Sequence, residues 1–249
     1  MNADILQLAG LIEKAKRVVV FTGAGISTES GIPDYRSPKG IWSQTTPIYF
    51  DEYVASAEAR VEAWLRKFEI DRDMIGAEPN RGHHAIARLV CSGKVSSVIT
   101  QNIDGLHQLS GVPEERVIEL HGNGTYATCL SCGARHELGP IKAAFEVDWS
   151  PPVCTECGGI VKTATISFGQ PMPKVAMERA RRETMACDLF LAVGSSLVVY
   201  PAAGFPEIAK RNNAGLVIIQ RDPTGLDTIA DLVLHREIGQ TLGDAVRLN

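Results

Sequence analysis

The chain has 249 residues, 45% hydrophobic and 22% charged, the balance of a globular protein long enough to bury a sizeable core. These values exclude a disordered tail, a collagen-like repeat and a disulfide-stapled miniprotein. Lys plus Arg number 25 against 29 Asp plus Glu, a net charge of -4 with no basic stripe, which argues against nucleic acid as the ligand.

No run approaches the ~18–20 apolar residues that cross a bilayer, and no basic segment followed by an apolar one opens the chain. The expectation is a cytoplasmic protein with no membrane partner. Its six cysteines are then read as thiols or metal ligands before disulfides.

Ile5, Leu8, Leu11 and Ile12 recur at helical spacing and predict an amphipathic helix ending near Lys16. Val18-Val19-Val20-Phe21-Thr22 follows, a short β-branched run of the kind buried on both faces of a parallel sheet, and it runs into Gly23-Ala24-Gly25-Ile26-Ser27. The same grammar recurs at Val95–Thr100 before Gln101-Asn102-Ile103-Asp104. It recurs at Leu189–Val193 before Gly194-Ser195-Ser196, and at Leu216–Ile219 before Gln220-Arg221-Asp222. Helical stretches such as His83–Val90 and Pro206–Arg211 lie between them. The pattern is an open, doubly wound α/β sheet whose ligands sit beyond the carboxyl ends of its strands.

Two regions break this grammar. Residues 33–78, with Pro33, Pro38 and Pro47 and a helical stretch around Glu58–Phe68, read as a helical insertion or mobile loop. Residues 123–161, with four cysteines and the Pro151-Pro152 pair, read as a small metal-stabilised module.

Cys129-x-x-Cys132 and Cys154-x-x-Cys157 stand 21 residues apart. Two such knuckles can place four thiolates tetrahedrally around zinc, with Gly133, Gly158 and Gly159 permitting the tight turns. Four protein ligands leave no open position, so the zinc would be structural. A pair of disulfides is the competing arrangement, disfavoured in a reducing compartment. Cys91 and Cys187 adjoin apolar residues and are expected to be core thiols.

The Gly23-x-Gly25 loop suits either backbone amides approaching a pyrophosphate or a tight structural turn. Thr28 stands where a dehydrogenase fingerprint has its third glycine, and no acidic residue ends a second strand about 20 positions on. A nucleotide is compatible with this; hydride transfer is not. Among the six histidines, His121 follows the short strand Val117–Leu120 and precedes Gly122 at the mouth of the cysteine module. It is a candidate base, or a structural histidine, at a junction where pockets form. His107 is expected to organise a loop by hydrogen bonding, and His83 and His84 to belong to a helix start.

Gly23-Ala24-Gly25-Ile26-Ser27, Gly31-Ile32-Pro33-Asp34-Tyr35-Arg36-Ser37, Thr100-Gln101-Asn102-Ile103-Asp104-Gly105-Leu106-His107 and His121-Gly122 resemble the signatures of the sirtuin (Sir2) family, bacterial type. The paired knuckles, Phe168-Gly169 and Gly194-Ser195-Ser196-Leu197 continue the resemblance in the same order over nearly the whole chain.

The resemblance implies a Rossmann-like NAD-binding domain made of 1–32, 79–122 and 162–249, a cofactor loop and helical insertion at 33–78, and a zinc-binding module at 123–161. It implies an NAD-dependent protein-lysine deacylase, a deacetylase first. NAD is a co-substrate: the acyl oxygen of acyl-lysine attacks C1′ of the nicotinamide ribose and nicotinamide leaves. His121 then removes a ribose hydroxyl proton, and water releases deacylated lysine and O-acyl-ADP-ribose.

By the same resemblance Asn102 and Asp104 order ribose and water, and Gln101 contacts ribose. Gly23, Ala24, Gly25, Asp34, Tyr35 and Arg36 line the cofactor, as do Gly194, Ser195, Ser196, Gln220 and Ile238. Ile166, Phe168, Gly169 and Val198 bind the acyl-lysine peptide as an added strand. Cys129, Cys132, Cys154 and Cys157 hold structural Zn2+.

Lys162-Thr163 stands where many relatives have Arg-Pro, Gln170 where they have an acid, and Gln220 where they have asparagine. These departures bear on peptide preference and adenosine geometry. Two rival readings are a protein ADP-ribosyltransferase using the same NAD site and a non-catalytic NAD- or metabolite-sensing module. Acyl choice is expected to favour neutral groups. No Tyr-x-x-Arg pair occurs between Trp42 and Pro79, Trp64-x-x-Lys67 being the nearest analogue, with Arg60, Arg66 and Arg72 as possible substitute charges.

Overall fold

The computed structural model describes residues 2–34, 46–74 and 76–248. Its centre is β1 (Val18–Thr22), five buried residues whose side chains alternate between two cores. Val18 and Val20 face α1 (Ala3–Lys14), α4 (Arg81–Cys91) and α9 (Ile238–Ala245). Val19 and Phe21 face α7 (Lys174–Ala186) and α8 (Phe205–Arg211). A strand that buries both faces needs helices on both, which is why its sequence is apolar without alternation.

β2 (Val95–Thr100) and β3 (Val117–Glu119) add to one side of β1. β7 (Leu189–Val193), β8 (Gly215–Ile219) and β9 (Leu232–Leu234) add to the other. The order is β3-β2-β1-β7-β8-β9 and every pairing is parallel. The chain therefore reverses its direction of winding between β1 and β7, and the connections leaving these two strands lead to helices on opposite faces of the sheet. Doubly wound sheets bind ligands at such a switch point.

α1 buries Ile5, Leu8 and Ile12 and is capped by Asn2. It stops at Lys14, short of the expected Lys16, because the amides of Lys16 and Arg17 turn to the carboxylate of Asp188 at 2.7 and 2.8 Å. Asn80 caps α4 through a capping box with His83, as expected of a helix start. Cys91, expected in the core, is exposed at the last residue of α4, where the buried stripe has turned away; Cys187 is buried as expected.

The two irregular regions share a core. α2 (Phe50–Ala55) and α3 (Ala57–Met74) make up the described part of the helical insertion. β4 (Gly122–Cys129), β5 (Arg135–Glu137) and β6 (Val161–Thr165) form a second, antiparallel sheet in the order β5-β4-β6, beside α6 (Leu138–Asp148). That sheet begins one residue before 123, at Gly122, and ends four beyond 161, at Thr165. Trp64 and Phe68 of α3 pack with Ile141, Phe145 and Val161, and Tyr53 Oη donates to the Val161 carbonyl at 2.8 Å. Burying an aromatic ring this way contributes roughly 1.5–3 kcal/mol per side chain. Among the described residues no helix is long and apolar enough to cross a membrane.

Candidate active site

The site begins where the loop after β1 presses on the loop after β7. Gly25 N–H donates to the Gly194 carbonyl at 2.8 Å, and Gly23 N–H to Val193 at 3.0 Å. A Cβ on Gly25 would stand 2.8 Å from Gly194 Cα. Gly194 has φ 65°, and its Cβ would lie 2.3 Å from the Ile26 nitrogen. Only glycine lets the two loops meet so closely. Residues 24–30 follow as a 3-10 helix with Gly23 as its N-cap. The amides of Gly23 and Gly25 hold the loops together, so these glycines serve close approach rather than donation to a ligand.

Gln101 extends from the end of β2 and joins three parts of the site. Its backbone N–H donates to the Thr22 carbonyl at 3.0 Å and its Nε2 to Ser195 Oγ at 2.8 Å. Its own carbonyl stands 3.0 Å from Nδ1 of His121. A carbonyl only accepts, so Nδ1 carries the proton and the lone pair of a neutral ring resides on Nε2. Burial lowers the pKa of His121 below 6.5, the bond to Gln101 opposing it, so the ring is neutral at physiological pH. The His121 carbonyl in turn accepts from Ile166 N–H at 2.8 Å, which links the histidine to the segment after β6.

Asn102 and Asp104 meet through Ser27. Asn102 Nδ2 lies 3.1 Å from Ser27 Oγ, which donates to Asp104 Oδ2 at 2.7 Å. Asp104 Oδ1 accepts at 2.9 Å from the N–H of Leu106, the first residue of α5 (Leu106–Leu109), whose N-cap is Gly105. Ser27 closes the motif Gly23–Ser27, from which no role follows for it. Its signal was its place, a small hydroxyl two residues after Gly25.

Around this centre Ala24 lies in the 3-10 turn and Asp34 closes the first described stretch; Tyr35 and Arg36 lie outside the described residues. Ser195 is buried and Ser196 exposed. Gln220 follows β8 and accepts from His235 Nδ1 at 2.9 Å through its carbonyl. Ile238 opens α9 with its side chain in the core beside Ile26. Phe168 is 38% exposed and its carbonyl accepts from Phe50 N–H at 2.9 Å; its ring centroid is 5.9 Å from that of Tyr49, which also adjoins Gly169. Val198 is 56% exposed. Gln170, the departure from an acid, accepts from Ser167 N–H at 3.1 Å across the turn. Lys162, the departure from arginine, is 3% exposed and gives its ammonium to the carbonyls of Thr165 and Thr163 at 2.6 and 3.3 Å.

The four cysteines converge at the tip of the small sheet. Their sulfur atoms all lie within 4.8 Å of one another, with Cys129–Cys157 at 3.5 Å and Cys132–Cys154 at 3.7 Å. These spacings are too long for disulfides. A tetrahedron with Zn–S bonds of about 2.3 Å has edges of about 3.8 Å, so the cluster is compatible with zinc. Ser131 N–H donates to Cys129 Sγ at 3.4 Å, and Gly159 approaches the same sulfur so closely that a Cβ would stand 2.9 Å from it.

The Sir2 family model matches residues 23–201. NAD-dependent protein deacetylase 1 of Bradyrhizobium diazoefficiens is 56% identical over 246 residues, 99% of this chain and 96% of that protein. The NAD-dependent protein deacetylase of Rhodopseudomonas palustris is also 56% identical, covering 99% and 97%. Among solved structures, a Sir2 protein with a p53 peptide and NAD+ superposes with a TM-score of 0.87 at 32% identity, covering 99% and 98% of the two chains. Sir2Af2 bound to a myristoylated histone peptide superposes with a TM-score of 0.78 at 36% identity, covering 99% and 96%. The chain belongs to the Sir2 family.

Proposed function

We propose that this chain is an NAD-dependent protein-lysine deacylase, acting on acetyl-lysine first, that converts NAD and an acyl-lysine protein to nicotinamide, the free lysine and O-acyl-ADP-ribose. The observation that carries it is the bond from His121 Nδ1 to the Gln101 carbonyl, which fixes a neutral imidazole with its lone pair on Nε2, the hydrogen-bonded Asn102, Ser27 and Asp104 belonging to the loop that Gln101 opens and the turn after β1. NAD supplies a glycosidic bond that breaks in exchange for the acyl oxygen.

His121 is the general base for the ribose hydroxyl; a positioned base of this kind contributes about 10²–10⁴-fold. Asn102 and Asp104 order ribose and water through Ser27. Gln101, held by Ser195, spans the ribose side. Gly23, Ala24, Gly25, Asp34, Tyr35, Arg36, Gly194, Ser196, Gln220 and Ile238 complete the cofactor side. Ile166, Phe168, Gly169 and Val198 take the peptide as an added strand, supported by the exposure of Phe168 and Val198 and by the Ile166–His121 bond.

The four cysteines hold a structural Zn2+ that keeps the small sheet folded. The chain divides into an NAD-binding domain of 1–32, 79–122 and 162–249, a cofactor loop and helical insertion at 33–78, and a zinc-binding module at 123–161, with Trp64 and Phe68 packing the last two together. Cytoplasmic placement is supported by a cysteine cluster spaced for a metal rather than paired in disulfides.

The deacylase reading is favoured over ADP-ribosyl transfer because the most similar relatives named above are deacetylases. Mass spectrometry of a reaction with NAD and an acetyl-peptide tests it. The expected products are nicotinamide, free peptide and O-acetyl-ADP-ribose; ADP-ribosylated protein with the acetyl group retained would overturn it.

A further inference from the structure

Behind the Asn102–Asp104 loop lies a row of buried polar side chains to which the proposed chemistry assigns no part. His83 on α4 and His107 on α5 are 0% and 1% exposed, and their rings meet edge to face with centroids 5.1 Å apart. Burial lowers the pKa of both rings, so each is neutral at physiological pH and carries one proton and one lone pair.

The outer atoms of the pair determine where those protons sit. His83 Nδ1 lies 3.3 Å from the Asn80 amide at the cap of α4. A backbone N–H only donates, so Nδ1 holds the lone pair of His83 and Nε2 its proton. On the other side, His107 Nε2 lies 2.9 Å from Thr22 Oγ1, and Thr22 Oγ1 lies 2.8 Å from Thr100 Oγ1. Thr100 Oγ1 accepts from the Asn102 amide at 3.0 Å.

The atoms left over are His83 Nε2 and His107 Nδ1, both buried and without a hydrogen-bond partner. A buried donor and a buried acceptor left unpaired are costly, and χ2 of a histidine is soft enough for the facing rings to adjust. One polarity avoids a donor facing a donor. With the rings so turned, His83 Nε2–H would give to His107 Nδ1, while His107 Nε2–H gives to Thr22 and the Thr22 hydroxyl to Thr100.

We propose that His83 and His107 are positioning residues, a two-histidine relay that runs from the cap of α4 through Thr22 and Thr100 to the Asn102 amide and holds the loop carrying Asn102 and Asp104. Asn80 reaches the same site from its other end, since its Nδ2 donates to the Ile26 carbonyl at 2.7 Å and to Ser30 Oγ at 2.9 Å. The relay thus ties the glycine loop and the Asn102 loop to one helix terminus. Its consequence for turnover rests on the deacylase reading; the relay itself does not.

Nitrogen-15 NMR of the histidine side chains in the substrate-free protein reads the tautomers directly. Both rings should be neutral at neutral pH with the proton on Nε2. A proton on Nδ1 of either ring, or an imidazolium, overturns the relay. Thr22→Val then removes the hydroxyl at nearly constant volume. The expected result is a loss of kcat on the order of ten- to a hundredfold with little change in the KM for acetyl-peptide, together with loss of the fixed tautomer at His107. Thr22→Ser should restore both. A Thr22→Val enzyme with unchanged kcat and an unmoved Asn102 amide resonance overturns the proposal. If Thr22→Val does not fold, the wild-type tautomers still decide. The expected tautomers in a protein without deacylase turnover would sink the functional reading and leave the relay standing.

Discussion

The carbonyl of Gln101 and Nδ1 of His121 stand 3.0 Å apart, and this contact decides which nitrogen of the ring keeps its lone pair. Because Gln101 also holds Ser195 at 2.8 Å, the loop after β7 and the candidate base are referred to the same residue. A change that moves Gln101 moves both.

His121→Ala should therefore keep the fold and NAD binding and lose deacylation. Removing a general base costs about 10²–10⁴-fold in rate. Steady-state turnover with an acetyl-peptide, beside NAD binding by calorimetry, separates the two effects. Near-wild-type turnover in the variant would end the assignment of His121 to proton transfer.

The pH profile follows from the same contact. The base works only when neutral, and burial places its pKa below 6.5. The acid limb of kcat/KM should therefore fall below pH 6.5, and His121→Ala should abolish it. An acid limb centred above pH 6.5 would show that another group controls the rate.

Stability should respond to acid through His83 and His107. Burial depresses the folded-state pKa of both below 6.5, that of His107 to about 4. With the folded pKa depressed, the unfolded state binds more protons between the two values, so stability rises with pH there. The contribution is fully present above pH 6.5 and is lost as pH falls towards about 4; for His107 alone it is roughly 3 kcal/mol. Urea midpoints across that window check it. His107→Phe should flatten the slope, and an unchanged slope in that variant would contradict the burial argument.

The cysteine cluster predicts one zinc per chain. Cys129→Ser or Cys154→Ser should release the metal and unfold the small sheet, with activity lost indirectly, because a four-thiolate site contributes its binding free energy to folding. Trp64 reports the event by fluorescence, since it packs in the same core as Cys129 and Cys154. A zinc-free variant with native fluorescence and full turnover would show that the module stands without metal.

The parallel strands were legible because each is a short β-branched run buried on both faces and closed by a polar cluster, as in Val18–Thr22 before Gly23. Helices that bury small or polar residues were not. α7 turns Ala180 and Thr184 inward, and α9 buries Gly239 and Gly243 beside Ile238 and Leu242, so neither shows a plain apolar period. α6 begins Leu138-Gly139-Pro140, a turn signal that masks a helix start. The packing of Trp64 and Phe68 on Phe145 and Val161 joins residues far apart in sequence, which local pattern cannot reveal. At the site, the motifs marked Asn102, Asp104 and His121, whereas the Ser27 bridge and the Thr22–Thr100 pair depend on the register that sets Thr22 opposite Thr100.

Acyl choice is the last consequence, and it turns on which cations face the site from α3. Trp64 is 1% exposed in the core shared with the cysteine module, so it lines no acyl channel. Lys67 is engaged twice, by the Asp71 carboxylate and by the Gly124 carbonyl at 2.6 Å. Arg60 gives its guanidinium to the carbonyls of Tyr53 and Val54 at 3.1 and 2.9 Å, and Arg66 to Glu62 and the Thr46 carbonyl at 2.7 and 2.6 Å. Arg72 is exposed, 3.8 Å from Glu69. Gripping the distal carboxylate of succinyl-lysine would require one of these cations to leave its partners. A carboxylate buried without a cation is costly, whereas acetyl asks only for an apolar wall. Acetyl-peptide should therefore exceed the succinyl version of the same peptide by on the order of a hundredfold in kcat/KM, as a loss of about 3 kcal/mol of differential transition-state binding implies. Competition between the two peptides in one reaction measures the ratio directly. A succinyl preference would mean that Lys67 or an arginine swings into the channel, and Lys67→Met would then remove it.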